Sequence, residues 1–371
     1  MSALCLPTLR TISYIAGKYA LRRKVTGAST GIPRPIISFS TQYIPVMTAI
    51  ADAFVSIALV NSVHAAFRDP ELGSTAKHFL AAVSKVTAFN HALKDLMVLG
   101  DRCGAQGLLQ VNQLEPLIVR IAPHLAFKLL SNWVFFVQND LRGSGIAEGD
   151  IVGISIRFAI DLVLGRVSPP PSNNPNSRLA CHEAAIISRV RSHILRGQGP
   201  MGKSSSHRMR QVEAAILPLC VPLIQAIGHR MAYDAAVEAS VDPALIDIYL
   251  SSVILSDPVW YSETHDPKVR LSSSEQLEMQ LGACTKGVAR LEEWLEKLEV
   301  EPYVLAPIVS EEKWIAHEQT LETFGELQDP EIELNLDGYS GLFDVDVVVG
   351  GSQSIPHTLR RLQPESIAAK L

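Results

Sequence analysis

Gly197-Gln198-Gly199-Pro200-Met201-Gly202-Lys203-Ser204 satisfies the phosphate-loop pattern G-x-x-x-x-G-K-[ST] letter for letter. Such a loop cradles phosphate by aiming successive backbone amides from the turn between a buried strand and a helix. Here the preceding stretch, Glu183 to Arg196, is amphipathic at helical spacing, and Pro200 removes one of the amides. No apolar strand ending in an acidic magnesium ligand follows, so nucleotide hydrolysis is not expected. Two other glycine-rich stretches bracket helical patterns: Asp101-Arg102-Cys103-Gly104-Ala105-Gln106-Gly107, and the run from Asn139 to Asp150 that contains Glu148-Gly149-Asp150. Taken alone, Gly104 is a helix stop and Glu148 a loop acid ahead of an Asp-capped helix. His64, His78, His91, His124 and His229 fall in helical stretches without metal-ligand spacing and read as bundle histidines. Cys5, Cys103, Cys181, Cys220 and Cys284 are scattered, with no CxxC, which suggests neither zinc nor a disulfide framework but reduced, buried thiols.

The elements that must position these groups are helical. Of 371 residues, 47% are hydrophobic and 19% charged, enough for a sizeable core and against disorder. The net charge of −5 and the lack of a basic run argue against nucleic acid as a partner. Pro7 to Arg23 is amphipathic at helical spacing and ends before a Gly/Pro loop at Gly27 and Pro33-Arg34-Pro35. A long helix is predicted from Thr41 to Arg68, with Pro45 in its first turn. Another is predicted from beyond Pro70 to Gly104, and a shorter one over Ile151–Leu164 behind Asp150 as N-cap. Ser168 to Asn176 has linker composition. Further helices are predicted at Val212–Ser240, Pro243–Leu255 and Glu275–Leu298, and a strand only at Val345–Val349. The expected fold is all-α, with two helical bundles. The most apolar span, Ala53 to Phe67, lies between Asp52 and Arg68 and reads as too short to cross a bilayer, so no membrane span is expected. Ala369-Lys370-Leu371 fits the small-basic-Leu peroxisomal address.

Three of these patterns occur in a telling order: Tyr19-Ala20-Leu21-Arg22-Arg23 leading to Ser40-Thr41-Gln42-Tyr43, then Asp101–Gly107, then Asn139–Asp150. Together they resemble the C-terminal four-helix domain of the acyl-CoA dehydrogenase and oxidase superfamily, the oxidases most of all, over residues 7–166. The resemblance implies four segments: a helical FAD-binding domain at 1–166, a Pro/Ser-rich linker at 167–205, an oxidase-type helical domain at 206–345, and a tail at 346–371. It makes Glu148 the catalytic base. A carboxylate in an apolar, water-poor site has its pKa raised towards neutrality, as removal of a weakly acidic α-proton requires. Gly149 would let the backbone approach the ligand. Gly104 and Gly107 would form the turn that meets the FAD pyrophosphate of a neighbouring subunit, although Ala105 departs from the family's second glycine. Arg23, or equally Arg22, would hold the pyrophosphate with a bidentate guanidinium, and Gln42 would meet the cofactor.

The implied activity is FAD-dependent oxidation of an acyl-CoA to a trans-2-enoyl-CoA, with oxygen as electron acceptor. The partner would be a second copy or a complementing subunit, because the family's upstream helical and β-barrel domains are not in this sequence. The alternative is a non-catalytic helical subunit that binds no flavin. Val119 to Gln138, with Trp133, Phe135 and Phe136, lengthens the family's spacing between glycine turn and Glu-Gly pair. This stretch is read as a retained intron or gene-model error, which a transcript containing it would refute.

Overall fold

Helix α1 (Cys5–Arg22) buries Leu9, Ile12, Ile15, Ala16 and Tyr19, the face that the three- and four-residue spacing defines. It packs on α2 (Ser40–Arg68) and α3 (Ser74–Arg102). Between α1 and α2, where a plain loop was expected, Lys24–Thr26 pairs antiparallel with Pro33–Pro35 in a short exposed hairpin. Prolines are tolerated there because no further strand needs their amides. Pro45 falls in the second turn of α2 rather than the first, so one main-chain bond is lost inside the helix. α4 (Ile151–Val163) starts as expected behind Asp150, whose carboxylate accepts from Gly153 N at 2.9 Å.

The computed structural model describes residues 2–26, 31–114, 143, 145–147, 149–196 and 210–321. Glu148, the insert at Val119–Gln138, the Gly197–Ser204 loop, the strand at Val345–Val349 and the Ala369-Lys370-Leu371 terminus lie outside the described residues. Met1–His317 folds as one compact unit; the second begins at Glu318 and is described only to Leu321.

α5 (Arg178–Arg196) and α6 (Arg210–Glu238) form a tight pair, joined by Arg230, which donates to Glu183 Oε2 at 2.6 Å and to Asp234 Oδ2 at 3.3 Å. Arg230 also donates to Pro170 O at 2.8 Å, which fastens the Pro/Ser-rich crossing to α6. Pro218 and Pro222 lie inside α6 without ending it. α7 (Pro243–Ile254) and the single-turn α8 (Pro258–Glu263) follow, each capped by an aspartate, Asp242 and Asp257. The segment predicted as one helix to Leu298 is two: α9 (Ser273–Val288), opened by the Ser272/Glu275 capping box, and α10 (Leu291–Lys297). Gly287 permits the break. A Cβ there would stand 2.6 Å from the tip of the flexible Met47 side chain and 3.0 Å from Trp294 Cζ3, so a glycine lets α10 fold back over α9 without displacing either. α11 (Glu311–Glu318) closes the described chain.

Helices of the two expected bundles meet on α2, which touches α1, α3, α6, α7 and α9, and one apolar core runs through both. This accounts for the hydropathy of α2. Ser40–Arg68 is long and apolar enough to cross a membrane, as is Glu213–Glu238, but 72% and 56% of their most apolar windows are buried against neighbouring helices. Such burial is what a central helix of a helical core shows.

Candidate functional site

At the C-terminal end of α3 the Cys103 amide bonds to the carbonyls of Leu99 and Gly100, both at 3.1 Å, and the chain tightens into a 3₁₀ turn over Gly104–Leu108. The two glycines of this turn have different reasons to be glycine. Gly104 has φ +60° and nothing within 4 Å of where a Cβ would be, so it supplies a left-handed backbone on an open surface. Gly107 is buried, and a Cβ there would stand 2.0 Å from Gly100 O; it lets the turn press against the last turn of α3.

The turn faces the end of α1 across a cleft of about 1010 Å³, lined on one side by Arg22, Arg23 and Lys24, on another by Gly104, Ala105 and Gln106, and by Trp314 of α11. Thus the predicted Arg23 and Gly104 share one cavity. The choice left open between Arg22 and Arg23 is narrowed by geometry. Arg22 donates to Glu311 Oε2 at 2.7 Å and to Ile308 O at 3.2 Å, with its guanidinium over the Trp314 ring at 5.4 Å. Arg23 is exposed at the mouth and forms no ion pair among the described residues. Burial pushes the Cys103 thiol at the cleft wall up to about 12, which keeps it protonated and unreactive. Gln42 sits in the first turn of α2, its amide bonded to Phe39 O at 2.9 Å, and does not line the cleft. Gly107 supports the turn from behind.

The second glycine motif is held elsewhere. Lys85, in the middle of α3 and only 5% exposed, donates through Nζ to Ala147 O at 2.5 Å and to Gly149 O at 2.9 Å. Gly149 has φ +108°, and a Cβ would stand 2.6 Å from Ile154 Cγ2, so the bend into α4 excludes any other residue. Glu148 itself lies outside the described residues; the carbonyls on both sides of it are fixed by one ammonium. Lys85 and Cys103 stand roughly 27 Å apart along α3 at the helical rise of 1.5 Å per residue. Sequence reasoning missed Lys85: a lysine among Val83, Val86 and Ala88 has no signature until its carbonyl partners are seen. The histidines divide as well. His91 is a core residue, its Nδ1 2.6 Å from Asp52 Oδ2, and His229 is buried too, whereas His64 and His78 are exposed. His124 lies outside the described residues.

No protein-family model matches the sequence, and no curated protein matches it. Solved structures do. Acyl-CoA oxidase 1 from Yarrowia lipolytica superposes with a TM-score of 0.66 at 12% identity, covering 95% of this chain and 58% of that one. Arabidopsis thaliana acyl-CoA oxidase 1 gives 0.60 at 14%, covering 100% and 57%. Caenorhabditis elegans acyl-CoA oxidase-2, solved with FAD, ascaroside-CoA and ATP, gives 0.65 at 10%, covering 91% and 54%. The chain spans a little over half the length of these proteins and has the fold of that part of an acyl-CoA oxidase.

Proposed function

We propose that this chain is the helical, C-terminal part of a peroxisomal acyl-CoA oxidase and that it works against a second subunit or complementary domains. The observation that carries the reading is the cleft in which exposed Arg23 and Lys24 face the open Gly104 turn. Its contents fit a dinucleotide pyrophosphate: two cations at the mouth, a left-handed glycine with empty space above it, and no Cβ at Gly104 to hold a ligand off. Arg23 would pair with the phosphates while Gly104 offers bare main chain and Ala105 adds a methyl beside it. Arg22, tied to Glu311 and Trp314, would shape the wall rather than touch the ligand. When bound, FAD would supply the two-electron acceptor for oxidation of the acyl chain, with oxygen taking the electrons on.

Glu148 is proposed as the base that removes the α-proton of an acyl-CoA. Lys85 would hold the carbonyls of Ala147 and Gly149, the residues before and after Glu148 in sequence. Separation of the Glu-Gly loop from the glycine turn by the length of half a long helix fits a pair of subunits in which each turn serves the neighbour's flavin. A peroxisomal home is proposed from Ala369-Lys370-Leu371.

The test is FAD titration of the purified chain, alone and mixed with a full-length acyl-CoA oxidase subunit, followed by fluorescence quenching. Binding that weakens about tenfold in Arg23→Ala is expected, since a charge-assisted hydrogen bond contributes roughly 1.5–3 kcal/mol. Peroxide release from an acyl-CoA, abolished in Glu148→Gln, would then establish catalysis. No flavin binding in either setting would leave the chain a non-catalytic helical subunit.

A further inference from the structure

A second cleft, of about 630 Å³, opens where the end of α2, the first half of α3 and the start of α4 meet. Its chemistry departs from that of the protein as a whole. The chain carries a net charge of −5, yet the cations Arg68, Lys85 and Arg157 line this cleft beside the imidazoles of His64 and His78, and no carboxylate among the described residues does. Between the cations lies an apolar floor of Val63, Phe67, Ala81, Ala82 and Phe158.

Ordinary helix electrostatics accounts for only part of that charge. Arg68 stands in the last turn of α2, where a cation complements the dipole. Arg157 lies in the second turn of α4, beyond the first turn over which a helix dipole acts, so the dipole gives no reason for its charge there. Among the described residues neither Arg68 nor Arg157 forms an ion pair with an acid. Acids close by in sequence are committed elsewhere: Asp161 pairs with Arg166, Asp150 accepts from the amide of Gly153 and Asp69 from the amide of Glu71. Arg157 lies over the Phe158 ring at 5.1 Å, so its charge is presented directly beside apolar surface. Phe67 is 40% exposed.

We propose that this cleft binds an oxyanion joined to an apolar group, the head paired with Arg68 and Arg157 and the tail laid on Phe67, Ala81 and Phe158. A cavity of this size suits a ligand with an apolar body and a few fixed polar contacts. Two guanidiniums that line it, without an ion pair among the described residues, supply bidentate partners for a carboxylate or phosphate. The cleft lies apart from the Arg23–Gly104 cleft, although its Lys85 also holds Ala147 and Gly149; FAD titration reads the other cleft and amphiphile titration this one, so the two failures are distinguishable.

The experiment is isothermal titration of the purified chain with dodecyl phosphate below its micellar concentration, with dodecanoate, inorganic phosphate and uncharged dodecyl maltoside as comparators. One molecule of dodecyl phosphate or dodecanoate per chain is expected, weakened at least tenfold in Arg68→Gln/Arg157→Gln and weakened by raised salt. Ala81→Trp, which fills the apolar floor from a half-buried position, is expected to abolish binding. Circular dichroism melting would verify that both variants fold. The proposal is overturned if the uncharged detergent binds as tightly, if inorganic phosphate alone does, or if neither variant changes the affinity.

Discussion

The cleft at the glycine turn and the polar knot inside the core make opposite uses of charge. In the cleft, chemistry is offered to solvent by an exposed arginine and a backbone with no side chain above it. In the knot, Asp52, His91, Asp95, His229 and Tyr249, drawn from α2, α3, α6 and α7, are all 8% exposed or less. Burial first, and then the neighbouring Asp52 charge, holds the Asp95 carboxyl well above the usual range. Burial and then His91 hold His229 well below its ordinary value, and Tyr249 is raised by burial and by Asp52. Strongly displaced titrations commonly point to active sites. Here none of the five residues lines either cleft, and the displaced groups sit where four helices cross. Displaced ionisation therefore marks packing in this protein, and open geometry marks the candidate site.

The largest test of that contrast is Asp52→Ala. It leaves His91 without its 2.6 Å partner and Asp95 without the carboxylate facing it. Breaking a buried pair from one side costs about 3–5 kcal/mol, which lowers Tm by roughly 6 °C or more. The knot also sets the pH response. Because His229 is depressed in the fold, its contribution is present above the unfolded value of 6.5 and is lost as pH falls towards the folded one. Asp95 runs the other way: raised in the fold, its contribution is present below 3.8 and is lost as pH rises through its folded value. Asp95→Asn should therefore be neutral or stabilising at pH 7, and His229→Gln should flatten the loss of stability below pH 6.5. Melting curves across pH measure both. A cost below about 1 kcal/mol for Asp52→Ala, typical of an exposed pair, would remove the structural reading of the knot.

The two regions were also unequally legible. The α-helical architecture follows from spacing, and the starts of α4, α7 and α9 lie at or near acids and serines that cap them. The cleft was partly legible, because Arg23 and the Gly104 turn belong to short patterns that survive without neighbours. Distinguishing Arg22 from Arg23 was not, since it depends on Glu311, Ile308 and Trp314, almost three hundred residues away in sequence. The break at Val288 was hidden for the same reason: the residues that need Gly287 to be bare are Met47 and Trp294. The knot was illegible altogether. Asp52 in an apolar helix looked like the boundary of an apolar span, and its role appears only when α3 brings His91 and Asp95 against it.

Within the turn, the contrast sharpens at the two glycines. Gly107→Ala would place a methyl against the Gly100 carbonyl, two backbones with no flexible side chain to yield. Overpacking of this kind costs roughly 1–3 kcal/mol, and the turn must peel away from α3. Gly104→Ala meets no atom and suffers only the left-handed backbone, roughly 1 kcal/mol. The two variants should separate by function as well. Gly104→Ala is expected to impair FAD binding more than its small loss of Tm suggests, while Gly107→Ala should lose both together. Equal loss of Tm would mean that the turn is not seated against α3 as Gly107 implies.

The smallest effects fall on the neighbouring arginines, and they decide which of them faces a ligand. Arg22→Ala forfeits a part-exposed ion pair, a carbonyl contact and stacking on Trp314, together about 0.5–1 kcal/mol after solvent screening. Arg23→Ala forfeits no ion pair among the described residues and should leave Tm unchanged within error. FAD titration should reverse the ranking, with Arg23→Ala weakened about tenfold and Arg22→Ala only slightly, because Arg22 is already paired with Glu311 and Arg23 has no ion pair among the described residues. Arg23→Lys, which keeps the charge but not the bidentate fork, should recover part of the affinity. A loss in Arg22→Ala that matched or exceeded the loss in Arg23→Ala would place the ligand deeper, against Trp314, and would make Glu311 a displaced partner rather than a fixed wall.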